Sequence, residues 1–467
     1  MRISINITCL CYGRNTPFGV FTNVFDYEVF PGRLFMKKLF RAFLILFLTG
    51  FPFVRPASAE NRTLTIEEAV RLTLARSPDA LIANAQARQA EEALRETRSL
   101  DLPRAVVGTG AAYNNGFPLS IEGSAPSIFR FEATQPIFSA QNRNLKREAG
   151  ESARAARIGG DIVDNELAAY AALVYFRLDQ ARKIAALAES RLAETRKQLE
   201  LTEIELDAGR ARPVDAAMGK TAVAAARQQL LTAGEQAMVA EAELRELTGL
   251  DETISIRTVT PLIESQVYDM DDSALFEKTA ASNPEIMQAE AKIRAKEFHV
   301  AAEKAERLPR IAAVAEYGMF SRSNNYEDYY SRFERNNYLI GVSAQFPLFD
   351  GFQSKARVAQ SREELSGEQL NLSRLKSNLK LNIQKGLSAI RVARGAVDVA
   401  AGDLETAEET IKINEILFES GRIGEREMSD ARLQARQKEL AKLEAEYELF
   451  QRKVELLRVT GSTLTIF

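Results

Sequence analysis

Fourteen prolines are spread over this 467-residue chain, but none falls between Pro136 and Pro213 and none after Pro347, so the last 120 residues are proline-free. Proline removes a backbone donor and clashes with the preceding helical turn, so both stretches are free to be very long helices. Residues 140–207 are rich in Ala, Leu, Glu, Arg and Gln, and as one helix these 68 positions would extend about 100 Å. Residues 352–419 match them in length, and return helices are expected over 213–248 and 425–460. In the last of these, Leu440, Leu443, Tyr447, Phe450, Val454 and Leu457 advance by alternating steps of three and four, the seam of a coiled coil.

The same landmarks occur twice. Ser77-Pro78 is followed 25 residues on by Leu102-Pro103-Arg104, and Asn283-Pro284 by Leu308-Pro309-Arg310 at the same distance. Gln135-Pro136-Ile137-Phe138 answers Gln345-Phe346-Pro347-Leu348-Phe349. Pro136 to Gly209 is 73 residues and Pro347 to Gly421 is 74, while Gly209 to Gly249 and Gly421 to Gly461 are both 40. The spacing predicts a duplicated half rather than a short solenoid unit: 60–249 and 271–467, joined by a linker at 250–270. Each copy reads helix, strand, strand, long helix, turn, long helix. The first helix opens at Thr65, a cap whose box Glu68 completes, and is expected to run to about Ser99. Its counterpart is expected from Asp271 or Asp272 to about Arg307.

Four segments break the helical period: 104–113, 127–138, 310–319 and 337–349. Phe129, Phe131 and Ala133 alternate with Arg130, Glu132 and Thr134; Tyr317 and Met319 with Glu316 and Gly318; Tyr338, Ile340 and Val342 with Leu339, Gly341 and Ser343. At roughly 10–13 residues each, they suit tilted strands crossing a bilayer with apolar residues outward and Arg130, Glu132 and Glu316 facing a water-filled lumen. Tyr326, Tyr329 and Tyr330 in the connecting loop, with Tyr338, suit a membrane interface. Four strands cannot close a barrel, and open edges are not tolerated in lipid, so the chain must pool strands with copies of itself. Three copies give twelve. The expected fold is therefore mainly α with a β-barrel part. A pair of hairpins on a soluble bundle would not explain why both hairpins sit at matching places between helices far longer than a core needs.

The N-terminus points to export. Met36 is followed by Lys37, Lys38 and Arg41, the apolar run Ala42–Phe53 and Ala57-Ser58-Ala59, which reads as a signal peptide over 36–59 cleaved before Glu60. The run is too short for a spanning helix. Residues 1–35 resemble nothing that precedes a signal and read as an over-called extension. Beyond residue 59 the chain holds 54 Lys+Arg against 62 Asp+Glu, a net charge of −8, and neither Cys9 nor Cys11. No nucleic-acid partner is expected, and no thiol chemistry, disulfide or lipidated cysteine. The single histidine, His299, sits in a helix between Phe298 and Val300. Neither a metal-ligand spacing nor a phosphate loop is present, so the chain reads as no enzyme and no cofactor is implied.

Over residues 64–461 the chain resembles the TolC-like outer-membrane efflux protein family. The resemblance rests on the LTIEEAVRLTLARSP opening, LPR before each strand pair, QPIF and QFPLFDG after it, and the turns DAGRARPVDA and ESGRIGERE, in this order and spacing. It implies a homotrimer with a 12-stranded barrel in outer-membrane lipid above a long periplasmic α-helical tunnel. It also implies a periplasmic adaptor (membrane fusion) protein bound at the helix tips and an inner-membrane RND or ABC transporter as pump, in efflux or type I secretion. Substrates would pass without chemical change. The rival reading is an exported coiled-coil envelope spacer without a lumen, which has no need for Arg130 and Glu132 between aromatics.

At the tips, Gly209 and Gly421 lie where antiparallel helices must reverse. Ala208, Gly209, Arg210, Ser420, Gly421 and Arg422 present the small and basic residues that tip-to-tip docking needs. The resemblance makes Asp215, six residues past Gly209, and Glu427 and Asp430, six and nine past Gly421, an acidic aperture ring. As acids early in a helix they also suit the helix dipole. The chain departs from the family pattern at Ile423, where an Arg is expected, and at Phe418, where a Tyr is expected. The closing contacts then fall to other pairs, with Arg210, Arg212 and Arg422 as candidates for the acids.

Overall fold

A computed structural model describes residues 61–110, 127–251, 253–260, 266–320, 334 and 336–467. The expected signal peptide over 36–59, residues 1–35 before it, and Tyr326, Tyr329 and Tyr330 lie outside the described residues. A short strand β1 (Asn61–Leu64) leads into α1 (Ile66–Arg76) and α2 (Pro78–Arg98). Strands β2 (Arg104–Thr109) and β3 (Ser127–Phe138) follow, then α3 (Ala140–Asp207) and α4 (Pro213–Thr248). The rest runs β4 (Ser255–Thr258), α5 (Asp272–Ser282), α6 (Pro284–Ala305), β5 (Arg310–Phe320), β6 (Asn336–Gln345), α7 (Gln353–Glu419) and α8 (Glu425–Thr460).

The helix expected from Thr65 to Ser99 is two helices. Pro78 has no N–H and forces Ser77 out of the helical region, to φ −59° and ψ 132°, so the chain stops and restarts. Asn283 does the same before Pro284 at φ −66° and ψ 122°, and its carboxamide oxygen caps the new helix by accepting from Glu285 N and Ile286 N at 3.0 and 3.2 Å. Where prolines are missing, α3 and α7 run 68 and 67 residues without interruption.

One antiparallel sheet has the order β2-β3-β5-β6. Across it Val107, Phe131, Tyr317 and Tyr338 stand in one row, and Val106, Glu132, Glu316 and Leu339 in the next, on the opposite face. Pro136 cannot donate to the ladder, and the β3–β5 register shifts there. Strand β6 ends at Gln345, short of the expected 349, because Pro347 cannot continue it. The sheet has no core of its own. Ile340 is 83% exposed, Val342 68% and Val107 62%, and among the described residues no further strand pairs with β2 or β6.

The core lies at mid-length of the long helices, where β1 pairs in parallel with β4 and α1 and α5 wrap around α3 and α7. It is built from Leu178, Leu244, Ile256, Ile383, Leu387 and Leu457, all fully buried, around Tyr175. The Tyr175 hydroxyl donates to Leu64 O at 2.6 Å and accepts from Val259 N at 2.7 Å, tying both short strands to α3. This knot had no signal in the sequence. Below the core, α3 packs on α4 and α8, and α8 on α7. Phe176 of α3 stacks on Phe450 of α8 at 3.9 Å between ring centroids, at a position the heptad seam had marked. Among the described residues no helix is long and apolar enough to cross a membrane, a statement about helices and not about strands.

Candidate functional site

Both long hairpins reverse through the same device. Gly209 adopts φ 71°, its N–H donates to Leu206 O at 2.9 Å, and Arg210 N donates to Glu205 O at 2.8 Å. Gly421 adopts φ 69°, with Gly421 N on Phe418 O and Arg422 N on Leu417 O, both at 2.9 Å. These paired bonds satisfy the last helical carbonyls and need a left-handed residue between them. Gly421→Ala is therefore expected to cost about 1 kcal/mol locally. Amide exchange over Ser420–Gly424 should quicken roughly fivefold, and unchanged exchange would show that the turn is held some other way. Ala208, Gly209, Arg210, Ser420, Gly421 and Arg422 are all exposed at these turns.

The three aperture candidates line one groove between α3, α4 and α8, and each has a partner. Asp215 accepts from the Arg212 backbone N–H at 3.0 Å and from its guanidinium at 2.9 and 3.1 Å, closing the first turn of α4. The Arg212 side chain, and then its backbone N–H, hold the Asp215 carboxyl below the usual carboxylate range. Asp215 thus keeps its charge in mildly acid solution. Glu427 turns back to accept from Gly424 N at 3.0 Å, capping α8, and Asp430 accepts from Gln198 Nε2 at 2.7 Å. Of the three basic candidates, Arg212 takes an acid, while Arg210 and Arg422 form no ion pair among the described residues.

Beside the Asp430–Gln198 link, the hairpins are joined by contacts the sequence reading did not foresee. Lys197 pairs with Glu425, Glu194 accepts from the Ser429 hydroxyl, and Arg426 lies 3.7 Å from Glu205. Glu194, Lys197, Gln198 and Glu205 recur at helical spacing on α3. That stripe was visible in the sequence, but its partners on α8 were not.

At the other end, Arg130, Glu132 and Glu316 share one sheet face. Glu132 stands directly across from Glu316, and Arg130 Nη1 lies 3.3 Å from Glu132 Oε1. Like charges directly opposed weaken a strand pair, and Arg130 beside Glu132 offsets part of that repulsion. His299 Nδ1 lies 3.1 Å from Glu148 Oε2, a contact between α6 and α3.

This arrangement is the mainly helical outer-membrane channel fold of the TolC type. The outer-membrane channel OprN superimposes with a TM-score of 0.68 at 18% identity, over 85% of this chain and 90% of that one. The Campylobacter jejuni CmeC outer membrane channel gives 0.70 at 15% identity, over 85% and 86%. The outer membrane efflux protein family model matches residues 69–250 and 275–462, and the chain belongs to that family. A curated relative, outer membrane efflux protein BepC of Brucella suis biovar 1 (strain 1330), is 23% identical over 296 residues, 62% of this chain and 62% of BepC. The match thus spans just under two thirds of that relative's length.

Proposed function

We propose that three copies of this chain form an exit duct, which passes substrates from an inner-membrane RND or ABC pump to the exterior without chemical change. Each copy contributes four strands to a 12-stranded barrel in outer-membrane lipid and its helix hairpins to a periplasmic tunnel. The observation that carries this is the sheet: four strands with no further strand on either edge among the described residues, one face apolar and exposed, the other charged. Among the described residues no further strand pairs with either edge, and lipid would not supply partners. Copies joined edge to edge do, and the alternation then puts Ile340 and Val342 toward lipid and Arg130, Glu132 and Glu316 toward water. A spacer without a lumen leaves the charged face unexplained.

At the periplasmic end, Asp215, Glu427 and Asp430 would repeat three times around the mouth. Such a ring favours cations and repels anions. The exposed turns at Gly209 and Gly421 would meet the adaptor. Purified protein in planar bilayers should form cation-preferring pores, and Glu427→Ala with Asp430→Ala should raise conductance and weaken the preference, since one removes a cap and the other a link to Gln198. Unaltered conductance and selectivity in that double variant would remove the aperture role. Absence of pores from a well-folded protein would remove the duct.

A further inference from the structure

The paired landmarks Leu102-Pro103-Arg104 and Leu308-Pro309-Arg310 end on arginines that each open a strand, β2 and β5. Arg104 stands opposite Thr134 and Arg310 opposite Gln345, and these partners lie two residues before Pro136 and Pro347. The two hairpins thus place their arginines alike, at the end of the sheet where strands give way to helices. Counting along the strands in steps of two sets both on the face of Glu132 and Glu316. Both are exposed. Next above Arg310 on that face come Ala312 and, across from it, Ser343, side chains too short to crowd a guanidinium.

That end of the sheet is basic, in a chain whose net charge is negative. Residues 98–104, 139–147, 305–310 and 350–357, where strands and helices meet, hold nine Lys/Arg and three acids. All three acids are engaged. Asp101 pairs with Lys146, Glu306 pairs with Arg357 at 2.9 Å, and Asp350 accepts from Ser354 N at 2.9 Å where α7 begins. Further up the face Glu132 takes Arg130 at 3.3 Å, and Glu316 lies six residues along β5 from Arg310, about 20 Å of strand. Arg310 donates to Gln141 Oε1 at 2.6 Å, a neutral partner that leaves its charge uncompensated. Among the described residues neither Arg104 nor Arg310 forms an ion pair. Exposed guanidiniums of one sign, held by register on one polar face, call for anions from outside the chain.

We propose that Arg104 and Arg310 form an anion-binding girdle in the lumen, at the helical end of the barrel, which takes the phosphate or carboxylate groups of passing cargo. This rests on the duct reading above and adds a substrate chemistry to it. With three copies around the lumen, the two repeats contribute six guanidiniums at matching positions. The planar fork of each fits two oxygens of a carboxylate or phosphate at once, and their summed field inside a walled passage raises the local concentration of anions. The acidic mouth and the basic girdle then act in series: cations are drawn in at the tip, anions are held at the barrel, and cargo bearing both charges meets a partner at each.

The purified protein in planar bilayers tests it, with inorganic pyrophosphate added on the barrel side as the probe. Pyrophosphate should block the wild-type pore. Arg104→Gln with Arg310→Gln should weaken that block roughly tenfold, whereas Arg104→Lys with Arg310→Lys should keep most of it. Ser343→Cys reads the same field with both arginines in place: a negatively charged methanethiosulfonate should modify it roughly tenfold faster than a positively charged one. Open wild-type pores that pyrophosphate does not block, or equal modification of Ser343→Cys by the two reagents, overturn this inference and leave the duct standing. Block that persists undiminished in the double Gln variant assigns the anion to other residues and overturns the girdle. Absence of pores overturns both readings.

Discussion

Arginine in place of Ile340 is expected to keep the protein out of the outer membrane, whereas arginine in place of the adjacent Leu339 is expected to be tolerated. The two residues are consecutive on β6, so their side chains point to opposite faces. Ile340 stands opposite Ala315 in the row shared with Ala133, and it is 83% exposed in a single copy. Leu339 stands opposite Glu316, beside Glu132. An arginine facing lipid near the middle of a barrel costs about 2–4 kcal/mol, and in a ring of three the cost is met three times. At Leu339 the new charge joins two carboxylates in water. Fractionation of cell envelopes reads the difference, and equal insertion of both variants would show that the apolar face does not meet lipid.

The second large effect is expected at Tyr175. Its ring is fully buried and its hydroxyl holds Leu64 O and Val259 N. Tyr175→Phe keeps the ring and strips both groups of that partner, which should cost about 2–4 kcal/mol and free β1 and β4 to exchange amide protons. Tyr175 also makes the fold alkali-sensitive. Burial pushes its phenol up to about 12, above the roughly 10 of an unfolded tyrosine. The folded state therefore binds this proton more tightly than the unfolded state does. The resulting stability is complete below pH ~10 and falls by about 1.4 kcal/mol per unit as pH rises toward the folded value. Tyr175→Phe should remove this slope, and thermal melts in detergent between neutral and strongly alkaline pH would read it. A slope that persists in the variant would assign the alkaline loss to another group.

The two predictions probe parts of the chain that differed in how far they could be read. The β6 face was visible in the sequence because a strand's period of two is local, and Tyr338, Ile340 and Val342 alternate with Leu339, Gly341 and Ser343 whatever lies next to them. The tip turns were visible because a left-handed residue between two helices is nearly always glycine. Tyr175 was not visible. It is one more aromatic in an alanine-rich helix, and its partners are backbone atoms 111 and 84 positions away. The groove at the tip was read in part: Asp215, Glu427 and Asp430 were picked by offset from the glycines, but their hold on Arg212, Gly424 and Gln198 depends on how α3 lies beside α8.

By itself, then, the amino-acid sequence determined where the long helices could run on, which faces of the strands were apolar, and where the chain turned back. Those are consequences of backbone chemistry and of repeats of two and three-and-a-half residues, which need no neighbour to act. Only the tertiary structure decided that the sheet order is β2-β3-β5-β6, that α4 and α7 end the row of long helices, and which acids are capped and which pair. Those depend on atoms far apart in the chain meeting within a few ångströms, and the pattern of any single segment does not encode such a meeting.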